Sequence, residues 1–310
     1  MRVVVTGGAG FIGANLCRHL IRAAEVDEVV VVDDLSSGSE ANLDGLAVTS
    51  HLGSILDDAV LDAALTGAGS VVHLAARGSV PRSVEDPVAS HEANTTGTLR
   101  VLEAVRRHAV PHVVVASSSS VYGANPTLPK HEDLALMPQS PYAASKLATE
   151  SYTLAWAKVY GFEALAFRFF NVFGPLQPAG HAYAAVVPAF VDAALAGRSV
   201  EVHGDGGQTR DFTYVDTVCA VLAEAVTGAV GSPQPVNLAF GGRFDLLGVL
   251  SLLEEILGHP VERHHVPTRA GDVRDSQADR TRLEALFPGV EPVSLEDGLR
   301  RTVDWFRSTG

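Results

Sequence analysis

At 310 residues, with 46% hydrophobic and 19% charged residues, the chain has the apolar content of a molecule with a substantial buried core, which excludes intrinsic disorder. A formal charge of −13 with only Lys130, Lys146 and Lys158 as lysines excludes a nucleic-acid surface, yet leaves a few convergent arginines able to hold a diphosphate. No run approaches the roughly 18 apolar residues of a membrane span, and the N-terminal apolar run is too short for a signal-peptide core. Cys17 and Cys219 form neither a disulfide framework nor a metal-ligand pattern, so a cytoplasmic protein is expected.

Arg2 to Thr6 is a β-branched run, and Phe11 to Ala24 carries apolar residues at helical spacing, which predicts a strand, a glycine-rich turn and a helix. The turn holds Gly7, Gly10 and Gly13 at three-residue intervals. Glycine there lets backbone N–H groups approach a pyrophosphate, and the helix N-terminus adds its positive dipole end. Glu28 to Val32 is a second apolar run ending at Asp33 and Asp34. Asp33 stands twenty residues past Gly13, where a carboxylate accepts hydrogen bonds from an adenosine ribose diol. No arginine follows in Leu35-Ser36-Ser37-Gly38 to receive a 2′-phosphate, so the cofactor reads as NAD rather than NADP.

The pattern then repeats, with a helical stretch at Asp57 to Leu65, a strand at Ser70 to Leu74, a long helix from Pro87 to Ala109 and a strand at His112 to Ala116. Such alternation predicts an α/β fold, a Rossmann-type doubly wound parallel sheet. Ser140 and Pro141 suit the cap and first position of a helix running to Tyr160, and Glu163 to Phe169 is the next strand. Beyond Asn171 come shorter helices (Ala184 to Ala196, Val215 to Val226, Leu246 to Leu257, Leu295 to Arg307) and strands at Ser199 to His203 and Val236 to Ala239. This division gives a dinucleotide-binding domain over 1–170 and a smaller mixed α/β substrate lobe over 171–310, with an interleaved boundary.

Tyr142 and Lys146 are four residues apart on one face of the helix begun at Ser140. A phenol that titrates near 10 needs an adjacent cation to act as a base near neutrality, and Lys146 supplies one. The serine run Ser117-Ser118-Ser119-Ser120 ends a strand, where ligands of open α/β sheets bind. The His264-His265 pair lies in a strand-like segment without an acid cluster, reads as structural or surface, and no metal site is expected.

The segments TGGAGFIG (Thr6 to Gly13), HLAA (His73 to Ala76), SSSSVYG (Ser117 to Gly123), SPYAASK (Ser140 to Lys146), FRFFNVFGP (Phe167 to Pro175), GDGGQTRDFTYVDT (Gly204 to Thr217) and RAGDVRDSQAD (Arg269 to Asp279) follow in order over nearly the whole chain. Together they resemble the extended short-chain dehydrogenase/reductase family, and within it the UDP-sugar 4-epimerases. The resemblance implies that Tyr142 takes the proton from the sugar 4-hydroxyl as C4 gives hydride to NAD, with Ser118 bonded to the same oxygen and Lys146 lowering the tyrosine pKa. It places Phe11, Ile12, Leu74, Ala75, Ala76, Asn94 and Phe169 on the cofactor side. Where relatives often carry Gly-Asp after the third strand, this chain has Gly53-Ser54-Ile55, so Ser54 and Ile55 stand near the adenine.

On the substrate side, the same resemblance assigns Asn171, Arg210 and Arg269 to the diphosphate and Asp272 to the uridine ribose. Ser276 falls where epimerases restricted to glucose and galactose carry a tyrosine, which leaves room for an N-acetyl group. Ser119 and Ser120 stand where 4,6-dehydratases carry an Asp-Glu pair and decarboxylases a Glu, which disfavours both readings and leaves a dehydratase, like a UDP-glucuronate 4-epimerase, as an alternative on the same scaffold. As hydroxyl residues they remain candidates to hold a sugar carboxylate, yet Leu176 to His181 lacks the arginines of UDP-glucuronate 4-epimerases. A dehydrogenase that releases a keto product remains an alternative. A non-enzymatic NAD sensor is the other, and it predicts loss of Ser118, Tyr142 or Lys146, all of which are present. Relatives pair through helices matching Pro87 to Ala109 and Pro141 to Tyr160, implying a homodimer.

Overall fold

In the computed structural model, which describes residues 1–179, 184–268 and 274–309, strand and helix alternate from the start. The first half comprises β1 (Arg2–Thr6), α1 (Phe11–Leu20), β2 (Glu28–Asp33), β3 (Val48–Leu52), α2 (Asp58–Leu65), β4 (Ser70–His73), α3 (Val80–Glu85), α4 (Pro87–His91), α5 (Gly97–Arg107), β5 (His112–Ser118), α6 (Pro141–Tyr160) and β6 (Glu163–Phe169). Then follow β7 (Asn171–Phe173), α7 (Val186–Leu195), β8 (Val200–His203), β9 (Thr209–Arg210), β10 (Phe212–Tyr214), α8 (Val215–Thr227), β11 (Val236–Leu238), β12 (Phe244–Asp245), α9 (Leu246–Leu257), β13 (Arg263–Val266), α10 (Thr281–Leu286) and α11 (Leu295–Thr309).

Seven strands form one parallel sheet in the order β11-β6-β5-β4-β1-β2-β3. Val3 to Val5, Val29 to Val32 and Val113 to Val115 are at most 1% exposed, as expected of parallel strands covered by helices on both faces. The strand order reverses between β1 and β4, which opens a crevice at their C-terminal ends. The sheet takes its last strand, β11, from beyond residue 171, and α8 packs on α1. Three strand pairs, β7 with β10, β9 with β12 and β8 with β13, build the C-terminal lobe.

Among the elements that depart from the sequence pattern, three have a clear physical cause. Helix α1 stops at Leu20 rather than Ala24, because Arg22 and Ala23 donate to carbonyls three residues back and tighten the chain into turns. The helix expected over Pro87 to Ala109 is broken by a π-helical turn at Glu92–Thr96. There the Asn94 carbonyl accepts from the hydroxyls of Thr98 (2.5 Å) and Thr149 (3.2 Å). Strand β3 has no apolar run to announce it, because it is the sheet edge and most of its side chains face solvent or its rim. No helix among the described residues is long and apolar enough to cross a membrane.

Candidate active site

A cavity of about 1580 Å³ runs along the C-terminal ends of the central strands into the C-terminal lobe. A volume above the roughly 300–1,000 Å³ of ordinary small-molecule sites suits two ligands side by side. At one end the glycine turn is packed too tightly for any side chain. Gly7 has φ +72°, and a Cβ on it would sit 2.7 Å from the Ala75 nitrogen, while one on Gly13 would sit 2.1 Å from the Gly7 carbonyl. Gly10 caps α1 without a side-chain hydrogen bond, so the first-turn amides of Phe11, Ile12 and Gly13 present their N–H groups to the cavity unshielded.

Asp33 is 7% exposed, and its two oxygens accept the N–H groups of Ala9 and Leu35, each at 2.9 Å. Burial pushes its carboxyl above the usual range, with these two bonds pulling it back. The carboxylate therefore holds the turn in shape and keeps lone pairs for a ribose diol. Asp34, Ser54, Ile55, Leu74, Ala75 and Ala76 line the same wall. The Ser54 hydroxyl accepts from the Leu56 N–H at 3.2 Å. These residues fit NAD, which when bound supplies a reversible hydride acceptor.

Helix α6, which carries Tyr142 and Lys146, is seated by its neighbours. Ser140 accepts from the Ala143 N–H at 3.1 Å with Pro141 next, as the sequence pattern predicts. The Ser83 hydroxyl, fully buried on α3, accepts from the Tyr142 N–H at 3.0 Å. Tyr142, Lys146 and Ser118 all line the cavity. Ser118 accepts from the Ser120 hydroxyl at 2.9 Å and from its N–H at 3.2 Å. Burial raises the Tyr142 pKa, and a hydrogen bond with the Ser118 side chain opposes that shift. Lys146 is 5% exposed, donates to the Ala116 carbonyl at 2.8 Å, and is pulled down to about 8 by burial.

That depression makes a stability prediction. The unfolded chain keeps the Lys146 proton to about pH 10.5 and the folded chain only to about 8, so in this window the unfolded state binds more protons and the group favours folding increasingly as pH rises. The stability of the wild type minus that of Lys146→Met is therefore expected to grow between pH 8 and 10, read by urea denaturation. A difference flat with pH refutes the buried ammonium.

Behind the wall lies a polar layer. His73 bridges the hydroxyls of Thr6 (2.7 Å) and Thr98 (3.1 Å), and burial, helped by the charge of Lys146, lowers its pKa to about 3, so the ring stays neutral. Asn94, expected on the cofactor side of the cleft, is only 1% exposed and is not among the cavity-lining residues. It accepts from the Arg77 N–H at 2.7 Å and donates to the Ser145 hydroxyl at 2.9 Å, because the π turn directs it inward.

At the far end, Phe169, Asn171 and Arg210 line the cavity, and the Arg210 guanidinium donates to the carbonyls of Thr209 (2.9 Å) and Arg274 (2.8 Å). Ser119, Ser120 and Ser276 are not among the lining residues. The first two are taken up in a 3₁₀ turn, and Ser276 pairs its N–H with the Thr209 carbonyl at 3.0 Å. Arg269 and Asp272 lie outside the described residues. His264, read as structural or surface, borders the outer end and meets Glu201 at 3.5 Å. Among the described residues no cluster of three or more His, Cys, Asp or Glu is placed to hold a metal. Sequence reasoning missed Ser83, whose contact spans 59 positions and carries no local signal.

Comparison with known proteins agrees with this geometry. The model of the NAD dependent epimerase/dehydratase family matches residues 3–239. A UDP-glucose 4-epimerase of Mycolicibacterium smegmatis is 38% identical over 99% of both chains. Among solved structures, a UDP-glucose 4-epimerase from Thermotoga maritima with UDP-glucose superposes at TM-score 0.94, with 36% identity over 100% of this chain and 99% of that one. A UDP-N-acetylglucosamine 4-epimerase from Methanobrevibacter ruminantium, in complex with UDP-N-acetylmuramic acid, gives 0.93 and 35% with the same coverage. With its glycine cradle, its Ser118, Tyr142 and Lys146 on one cavity and this likeness along its whole length, the chain belongs to the NAD-dependent epimerase/dehydratase family of enzymes.

Proposed function

We propose that the chain is a UDP-sugar 4-epimerase acting on UDP-glucose and UDP-galactose, with N-acetylated forms accommodated. The observation that carries this reading is the convergence of Ser118, Tyr142 and Lys146 on a cavity that continues to Asn171 and Arg210. Tyr142 accepts the proton of the sugar 4-hydroxyl and returns it, and Ser118, itself receiving the Ser120 hydroxyl, directs its own O–H to the same oxygen. Burial raises the Tyr142 phenol, and Lys146, one turn along α6, is the cation proposed to offset that shift and bring a phenolate within reach. Arg210 and Asn171 grip the diphosphate, leaving the hexose free to present either face. Ser119 and Ser120 offer no carboxyl acid/base pair, which speaks against elimination of water.

The test is a panel of UDP-hexoses, their N-acetyl forms and UDP-uronates, with C4 configuration of the products read by NMR and free NADH followed by absorbance. Interconversion of UDP-glucose and UDP-galactose without net NADH is expected, and turnover confined to UDP-uronates overturns the substrate assignment. In the same panel Ser276→Tyr is expected to lose at least about ten-fold more turnover on N-acetylated substrates than on UDP-glucose. Equal loss on both removes Ser276 as the determinant.

A further inference from the structure

Asp211 is fully buried, lies outside the cavity lining, and has no part in the chemistry above. Its Oδ2 accepts two backbone N–H groups, from Gly241 and from Ala278, each at 3.0 Å. Its main-chain carbonyl accepts both the Asn171 N–H (3.2 Å) and the Asn171 side-chain amide (3.1 Å). One residue thus joins β7, the 240–242 loop and the 274–279 segment. That segment is in turn laid against β9, with Arg274 accepting from the Thr209 N–H (3.1 Å) and Ser276 donating to the Thr209 carbonyl (3.0 Å). The Arg274 carbonyl also receives the Arg210 guanidinium at 2.8 Å. Burial pushes the Asp211 carboxyl up to about 6, and the backbone N–H groups it accepts pull it back.

We infer that Asp211 is a positioning residue for nucleotide-sugar binding: its carboxylate fixes the 274–279 segment, and its carbonyl fixes the Asn171 amide, so that Arg210 and Asn171 face the diphosphate in one arrangement. Asp211 itself touches no ligand. The inference rests on the reading of Arg210 and Asn171 as diphosphate-binding residues. A carboxylate that served only to stabilise the fold would be tied to its own lobe without regard to which side chains follow. Here the main-chain carbonyl holds Asn171 directly, and the segment anchored by the carboxylate carries the Arg274 carbonyl that receives Arg210; Asn171 and Arg210 both line the cavity.

The experiment measures UDP binding by calorimetry on the NAD-loaded wild type, Asp211→Asn and Asp211→Ala, alongside bound NAD, KM and kcat. An amide oxygen in the same place still accepts both N–H groups, whereas alanine leaves two buried donors unpaired. Asp211→Ala is expected to weaken UDP binding and raise KM by about ten-fold or more, with kcat and NAD content near wild type. Asp211→Asn is expected within about three-fold of wild type. Should the alanine variant not fold, Asp211→Ser, too short to reach both donors, carries the same expectation. Wild type that fails to bind UDP sinks the nucleotide-sugar reading itself. Wild type that binds UDP with the alanine or serine variant binding equally well overturns the positioning role, as does parallel loss of NAD and UDP or failure of both variants to fold.

Discussion

Tyr142→Phe is expected to lower kcat by about 10² to 10⁴-fold, the usual worth of a positioned general base, while NAD remains bound. The substitution removes one oxygen from a half-buried side chain and keeps its ring. The helix stays seated, because Ser83 holds the Tyr142 backbone N–H and Ser140 caps the first turn. The residues proposed to hold the cofactor lie mainly on other elements, in the turn after β1 and at Asp33 at the end of β2. The remaining hydroxyl, Ser118, is far too weak a base to replace a phenolate beside a lysine. Turnover within a few-fold of wild type would place the proton acceptor elsewhere and refute the mechanism. Steady-state rates with UDP-galactose, together with bound NAD measured after denaturation, decide it.

The second large effect concerns stability. Glu150→Ala is expected to cost about 3–5 kcal/mol, because it leaves the Arg168 guanidinium charged and unpaired inside the protein. The two side chains are 5% and 2% exposed, and the carboxylate accepts Arg168 Nη2 at 2.7 Å and Nε at 2.9 Å. Glu150 also receives the Ser117 hydroxyl at 3.0 Å, and Arg168 reaches the Tyr122 hydroxyl at 2.9 Å and the Glu132 carbonyl at 3.1 Å. A surface ion pair would be worth under about 1 kcal/mol, so a loss of that size in urea denaturation would rule out a dry pair. Replacing both partners with methionine is expected to recover much of the loss, since neither charge then remains buried. Glu150 lies one helical turn beyond Lys146, so the pair also pins α6 to β6.

The parts legible in the sequence are those whose cause is local. Valine runs mark β1, β2 and β5, where every side chain needs cover. Ser140 and Pro141 announce α6 by filling the two positions a helix start favours. Glycines at fixed offsets mark the turn because a Cβ has nowhere to go. Features set by distant partners left no such trace. The π turn leans on the hydroxyl of Thr149, 55 positions away, and β3 on its pairing with β2. The paired strands of the C-terminal lobe are as short as two residues, too brief for any periodicity. Asp211 was visible only as a letter in a longer motif; its anchors are 30 and 67 positions away.

The place of β11 in the sheet bears on how the chain is made. A growing polypeptide released as far as residue 170 has six of the seven sheet strands, but β6 then presents its free edge until residues 236–238 emerge. At roughly 5–20 residues per second, that edge waits several seconds on the ribosome. Glu163 at its rim and the buried Arg168 place charges along an otherwise apolar strand, Glu-Ala-Leu-Ala-Phe-Arg-Phe, which is what discourages an incomplete sheet from pairing with a neighbouring chain.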